Sequence, residues 1–152
     1  MRTSDLIGDL VSVNHRLTRL AAAATDNAES PAVWRTLSVL RDLGPMRLGE
    51  LARVSRVSQP TMTKLVHALG DRGWVRRIPD ADDARAWLIS TDPRGLAALA
   101  AWREELAGAL APTFDDLDDA ERAVLAQAVD ILRSRLERAD QPARATQPAA
   151  SA

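Results

Sequence analysis

A mainly α-helical fold carrying one small β-hairpin is predicted by three features of the 152-residue sequence. Apolar residues recur at intervals of three and four near both ends of the chain. Aromatic residues are scarce, four Trp and one Phe with no Tyr, so a core must rest on Leu, Ala and Val, which suits helices. One pair of strand-like segments, Trp74–Ile78 and Arg85–Ser90, flanks a polar turn with three aspartates. At 46% hydrophobic residues the chain is long and apolar enough for one folded domain.

The elements follow in order. Leu6, Leu10, Val13, Leu17 and Leu20 form a seam close to that of a coiled coil, on a helix expected from an N-cap at Ser4 to about Ala24. Ser30-Pro31 opens a second helix with Val33, Trp34, Leu37 and Leu40 on its apolar face, stopped by Gly44-Pro45. Leu48–Val54 is a short third helix. Ser55-Arg56-Val57-Ser58 is a tight connection, and Ser58 caps a fourth helix with Leu65, Val66 and Leu69 inward and Gly73 as its stop. The hairpin comes next, with Trp87 and Ile89 expected on one face. Thr91-Asp92-Pro93 opens a fifth helix carrying Leu96, Leu99, Trp102, Leu106 and Leu110. After a break at Pro112–Leu117, the capping box Asp118-Asp119-Ala120-Glu121 starts a sixth, with Val124, Leu125, Ala128, Ile131, Leu132 and Leu136 on one stripe.

The third and fourth helices with the hairpin make a winged helix-turn-helix module over residues 45–91. Residues 1–44 and 92–140 form a helical dimerisation region within the same domain, and 141–152, rich in Ala, Pro and Gln, reads as a disordered tail. The outer helices carry more apolar surface than the small module can cover, which points to a homodimer.

Composition excludes several classes of function. Without cysteine there is no disulfide and no thiol redox switch, and with only His15 and His67 a transition-metal site is not expected. No nucleophile has a histidine partner, no Gly-rich phosphate loop occurs, and Asp80, Asp82 and Asp83 lack EF-hand spacing, so the chain is read as neither an enzyme nor a cofactor carrier. There is no apolar run long enough to span a membrane and no signal-peptide layout in Met1–Asp9, so a cytoplasmic protein is expected. The net charge of −1 is unevenly spread. Between Arg47 and Thr91 stand eight Lys and Arg against five Asp and Glu, a net +3 within an acidic frame.

That basic segment holds the candidate functional residues. The start of the fourth helix exposes Ser58, Gln59, Pro60, Thr61, Thr63 and Lys64. Gln reads adenine edges, Thr bonds bases or touches a thymine methyl, and Lys neutralises phosphate, so double-stranded DNA is the partner this face fits. Arg56 adds a phosphate contact from the turn. On the hairpin, Arg76 and Arg77 lie outbound and Arg85 on the return, where an arginine can enter a minor groove. Asp83, two residues before Arg85, is expected to orient it by a bidentate bond. A winged helix used only for protein contacts would instead present an acidic or apolar face.

The residues Leu51-Ala52, Val57 through Val66, Leu69, Gly73 through Arg77 and Asp80 through Arg85 resemble the MarR family of winged-helix transcription regulators, and the flanking helices extend the resemblance from Asp5 to Arg138. Its most specific part is the pairing of the Ser-Gln-Pro-Thr helix start with the Asp-x-Arg wing. The resemblance implies an obligate homodimer joined by the first, fifth and sixth helices. It also implies a palindromic operator, mostly repression, and in many members release by an aromatic or phenolic effector. It places Gln59, Pro60, Thr61, Thr63 and Lys64 in the major groove, Arg85 in the minor groove and Asp83 behind the wing. It makes His15 and Trp34 the effector-site candidates, with Arg16, Arg19 and Arg35 available to an acidic ligand, while lack of cysteine excludes the family's cysteine-based peroxide sensors. The departure is Arg56, at a turn position where glycine is common; an arginine is expected there only if φ stays negative.

Overall fold

The computed structural model describes residues 1–26 and 28–145, with side chains through residue 141. It divides into two compact units, one of Met1–Ala28 with Ala101–Asp118 and one of Glu29–Ala100 with the residues from Asp119 onward.

The first unit contains helix α1 (Thr3–Ala24), the C-terminal part of α5 (Pro93–Leu110) and a 3₁₀ turn, Ala111–Phe114. The cap of α1 is Arg2 rather than Ser4. Asp5 accepts a hydrogen bond from the Arg2 backbone N–H at 3.4 Å and another from its guanidinium at 2.9 Å, and this closure three residues back leaves Ser4 inside the first turn. The seam read from the sequence forms, but Leu6, Val13, Leu17 and Leu20, with Ile7 and Val11, are exposed; only Ala21 of α1 is buried.

The second unit holds α2 (Pro31–Leu43), α3 (Leu48–Ser55), α4 (Gln59–Asp71), strands β1 (Val75–Pro79) and β2 (Trp87–Thr91), the start of α5, and α6 (Asp119–Ala145). Pro31 begins α2, where its missing N–H costs nothing, and Gly44 at φ 88° ends it, its N–H bonded to the Leu40 carbonyl at 3.0 Å. The core is where the periodicities met: Val33, Trp34, Leu37 and Leu40 from α2, Leu51 and Ala52 from α3, Met62, Val66 and Leu69 from α4, and Val75, Leu88 and Ile89 from the hairpin. In α4, Met62 is fully buried while Leu65 is only half-buried. Helix α6 continues through Gln141 to Ala145, residues read from sequence as tail; 146–152 lie outside the described residues.

The hairpin is antiparallel, running from the pair Val75–Thr91 to the pair Pro79–Trp87. Met46 extends it as a one-residue third strand, exchanging backbone hydrogen bonds with Ile89 at 2.8 and 3.2 Å. The return strand starts at Trp87 instead of Arg85, because the Ala86 N–H is taken by the Asp83 carbonyl in a turn. Trp87 and Ile89 lie on one face, as expected, but differ in burial: Ile89 is buried beside the Met46 bridge, and Trp87, further out, is 56% exposed.

Gly95 fixes the start of α5. A Cβ there would stand 2.1 Å from the Trp74 carbonyl oxygen, which also accepts the Asp92 N–H at 2.9 Å. Backbone meets backbone at this point, and no side chain fits between.

A candidate nucleic-acid interface

Helix α4 is built to present its first turn. The Ser58 hydroxyl accepts from the Thr61 backbone N–H at 3.3 Å and donates to the Thr61 hydroxyl at 2.7 Å. The Thr63 hydroxyl is turned back onto the Gln59 carbonyl at 2.9 Å. Met62, Val66 and Leu69 bury the inner face, so Ser58, Gln59, Pro60, Thr61, Thr63 and Lys64 stand together on the exposed one. All six are where the sequence placed them. His67 lies later on α4, exposed, with Nε2 3.6 Å from Asp71 Oδ2.

The turn before α4 departs from expectation. Arg56 adopts the left-handed conformation, φ 56° and ψ 44°, so the condition that φ stay negative is not met. The helix end requires it: the Arg56 N–H reaches the Arg53 carbonyl at 3.2 Å and the Val57 N–H reaches the Ala52 carbonyl at 3.1 Å, a closure that needs positive φ between them. The cost for a non-glycine is about 1 kcal/mol, and the Arg56 side chain remains exposed. Behind the turn, Arg35 Nη1 donates to the Ser55 carbonyl at 3.3 Å, so this arginine ties α2 to the end of α3.

The wing is held differently from the sequence reading. No bidentate Asp83–Arg85 bond forms. Asp83 Oδ1 accepts from the Arg85 backbone N–H at 3.0 Å, while the Arg85 Nε stays 3.7 Å away and its side chain is 95% exposed. A carboxylate two residues before an N–H favours this local turn, which fixes the main chain and leaves the guanidinium outward. The structural carboxylate is Asp80. Its side chain is inaccessible to solvent; Oδ1 accepts from the Asp82 N–H at 3.0 Å, and Oδ2 accepts from Arg47 at 2.7 and 2.9 Å. The Asp82 N–H, then the Arg47 guanidinium, hold the Asp80 carboxyl below its ordinary range against the opposing effect of burial, and Arg47 is raised in turn. Arg47 stands at the N-cap position of α3, so this pair locks the wing to the helix-turn-helix. Sequence reasoning missed it because the partners are 33 residues apart. The one local signal was an aspartate placed two residues before Asp82, the spacing of an Asx turn.

Arg76 and Arg77 are exposed on β1, paired with Ser90 and Ile89. Asp80 is paired with Arg47, Asp83 lies 3.7 Å from the Arg85 Nε, and Asp82 is exposed. Elsewhere on the module, Glu50 is paired with Arg53 at 2.5 Å, which lowers its carboxyl.

The two effector-site candidates fall in different units. His15 is exposed on α1, the helix that also bears a shallow groove lined by Val13, Arg16, Leu17, Arg19, Leu20 and Ala23. Trp34 is buried and stacks on Trp74 with ring centroids 5.8 Å apart; Arg72, paired with Glu29, covers Trp74 at 4.9 Å. No cluster of metal-ligating side chains and no helix able to cross a membrane occurs among the described residues.

Comparison with known proteins agrees with this geometry. The model of the MarR family matches residues 30–87, the span from the start of α2 to the start of β2. A helix-turn-helix-type transcriptional regulator of Mycobacterium bovis is 35% identical over 109 residues, 70% of this chain and 76% of the relative. A regulator of the same type from Mycobacterium leprae is 33% identical over the same shares. Among solved structures, a transcriptional regulator of Thermotoga maritima superposes with a TM-score of 0.69 at 23% identity, covering 90% of this chain and 96% of its own. The apo form of MarR from E. coli superposes at 0.62 and 23% identity, covering 87% and 96%.

Proposed function

The chain belongs to the MarR family of transcriptional regulators, and from that premise we propose that it is a homodimeric, ligand-responsive repressor reading a palindromic operator in the cytoplasm. Helix 58–72 enters the major groove and wing 74–90 the adjacent minor groove. The observation that carries this reading is the exposed first turn of α4, where Gln59, Pro60, Thr61, Thr63 and Lys64 share one solvent face over a fully buried one, beside a wing whose Arg85 projects outward. Phosphate contacts from Arg56, Lys64, Arg76 and Arg77 set position, and Gln59 and Thr61 supply sequence preference.

Dimerisation is supported by apolar surface left in water. Leu6, Ile7, Val11, Val13, Leu17 and Leu20 on α1, and Val124, Leu125, Val129, Ile131 and Leu136 on α6, are exposed in the single chain. A dimer through these helices sets two α4 helices roughly 34 Å apart, one turn of DNA. An aromatic or phenolic effector shifts the dimer between spacings that fit DNA and spacings that do not, through different affinity for the two states. Repression and the effector rest on the family resemblance; the groove on α1 with Arg16 and Arg19 is the place where an acidic ligand finds cations.

Selection of bound duplexes from a random pool, with sedimentation of the free protein, tests this reading. The expected result is a two-fold symmetric sequence with half-sites one turn apart and a dimer at micromolar concentration. An asymmetric site or a monomer overturns the symmetric model.

A further inference from the structure

The wing holds one large apolar side chain that the core does not take up. Trp87 opens β2 opposite Pro79, past the Met46–Ile89 bridge where the core ends, and is 56% exposed. Strand alternation places Arg77, Pro79 and Trp87 on one face of the hairpin, and Arg77 and Pro79 are exposed as well. Arg85, two residues before Trp87, is 95% exposed. Of the nearby acids, Asp80 is buried against Arg47, Asp83 Oδ1 lies 3.7 Å from the Arg85 Nε, and Asp82 is exposed. The indole thus shares a face with one exposed arginine and follows another by two residues. Covering the exposed part of the ring would gain free energy in proportion to the apolar surface removed from water.

We propose that Trp87 is a second DNA contact of the wing, its indole packing on the deoxyribose rim of the minor groove that Arg85 enters. The proposal rests on the reading of the wing given above. A minor groove about 6 Å wide accepts a guanidinium but not an indole beside it, so the ring meets the sugar wall, which is the apolar part of the duplex. Trp87 shares a hairpin face with Arg77 and stands two residues from Arg85, so a duplex that takes those arginines reaches the ring. Being uncharged, the contact adds affinity that salt does not screen, and it responds to groove width rather than to base identity.

The test is a salt titration of the full chain on a random-sequence duplex of about 30 base pairs, long enough for two half-sites. Trp87→Ala binds about tenfold more weakly, the scale expected when roughly half an indole stays in water, and the slope of log affinity on log salt is unchanged. Arg77→Ala and Arg85→Ala each flatten that slope by about one. Trp87→Phe recovers most of the affinity. It also loses a blue shift of Trp emission that the parent shows when duplex is added, a readout that needs no disruptive variant. Parent binding with Trp87→Ala unaffected, or Trp87→Ala weakened with a changed salt slope, overturns the proposal alone. No binding of duplex by the parent overturns the DNA reading and this proposal together.

Discussion

Helix α4 and the wing sit in the same module and face the same proposed ligand, yet they are secured by opposite means. Helix α4 is anchored by Met62, Val66 and Leu69, three buried apolar side chains at helical spacing, with Ser58 closing its first turn. The wing has its buried apolar side chains at its base, Val75, Leu88 and Ile89; its outer half is held by Arg47–Asp80 and by the Asp80 and Asp83 turns. Apolar packing is non-directional and contributes in proportion to area, so damage to α4 is damage to stability. Hydrogen bonds to a buried carboxylate are directional and few, so damage to the outer wing is damage to aim. One module therefore separates folding from positioning.

Substitutions can break or sharpen this contrast. The largest effect is expected from Met62→Ala, which leaves a cavity under α4 and lowers the free energy of unfolding by about 2–5 kcal/mol, measured in a denaturant titration. DNA binding falls with it, and a variant that kept full stability would deny α4 its apolar anchor. Next comes Gly95→Ala. The added methyl overlaps the Trp74 carbonyl, so α5 or the start of β1 must shift at a cost of about 1–3 kcal/mol, seen as a lower thermal midpoint.

Asp80→Asn should separate the two modes. Binding of duplex DNA weakens about three- to tenfold as the wing loses its lock, while the thermal midpoint moves less than in Met62→Ala. The acid limb checks the cause. The folded Asp80 carboxyl is held below its ordinary value of 3.8, so its stabilisation is complete above that value and disappears as pH falls through the lowered one. The gap in thermal midpoint between parent and Asp80→Asn is therefore constant from about pH 6 to 8 and closes below about pH 4. The smallest effect has the opposite sign. Arg56→Gly relieves the left-handed residue and raises stability by up to about 1 kcal/mol. If Arg56 touches phosphate, the same variant loses one unit of salt slope, and a gain in stability with an unchanged slope makes Arg56 purely a turn residue.

Much of this was legible in the sequence, for reasons that differ by element. The order of six helices around one hairpin follows from spacing, since an apolar residue every third or fourth position leaves few alternatives to a helix. Ser58 as a cap, Gly44 as a stop and the exposed turn from Gln59 to Lys64 are local features, and they stand as read. The misreadings have two sources, a competing group nearby and a partner far along the chain. Ser4 lost the cap to Arg2 through the Asp5 carboxylate. Trp87 and Ile89 share one face as read, but only Ile89, bridged to Met46, is buried. Among three aspartates in one turn, the sequence pointed to Asp83, and the buried one is Asp80 because Arg47 arrives from the cap of α3.

By itself, then, the sequence determined periodicity, caps and turn chemistry, because those depend on residues within a few positions of one another. With them came the fold class and the face of α4 that meets the solvent. Only the tertiary structure decided which carboxylate locks the wing, that Arg56 sits at positive φ, that Gly95 leaves no room beside Trp74, and that Trp87 stays outside. The Arg56 turn closes locally on the Ala52 and Arg53 carbonyls, but the other three depend on what the chain brings from far along its length, and a buried charge, a backbone contact or an uncovered ring acquires its energy only from that neighbour.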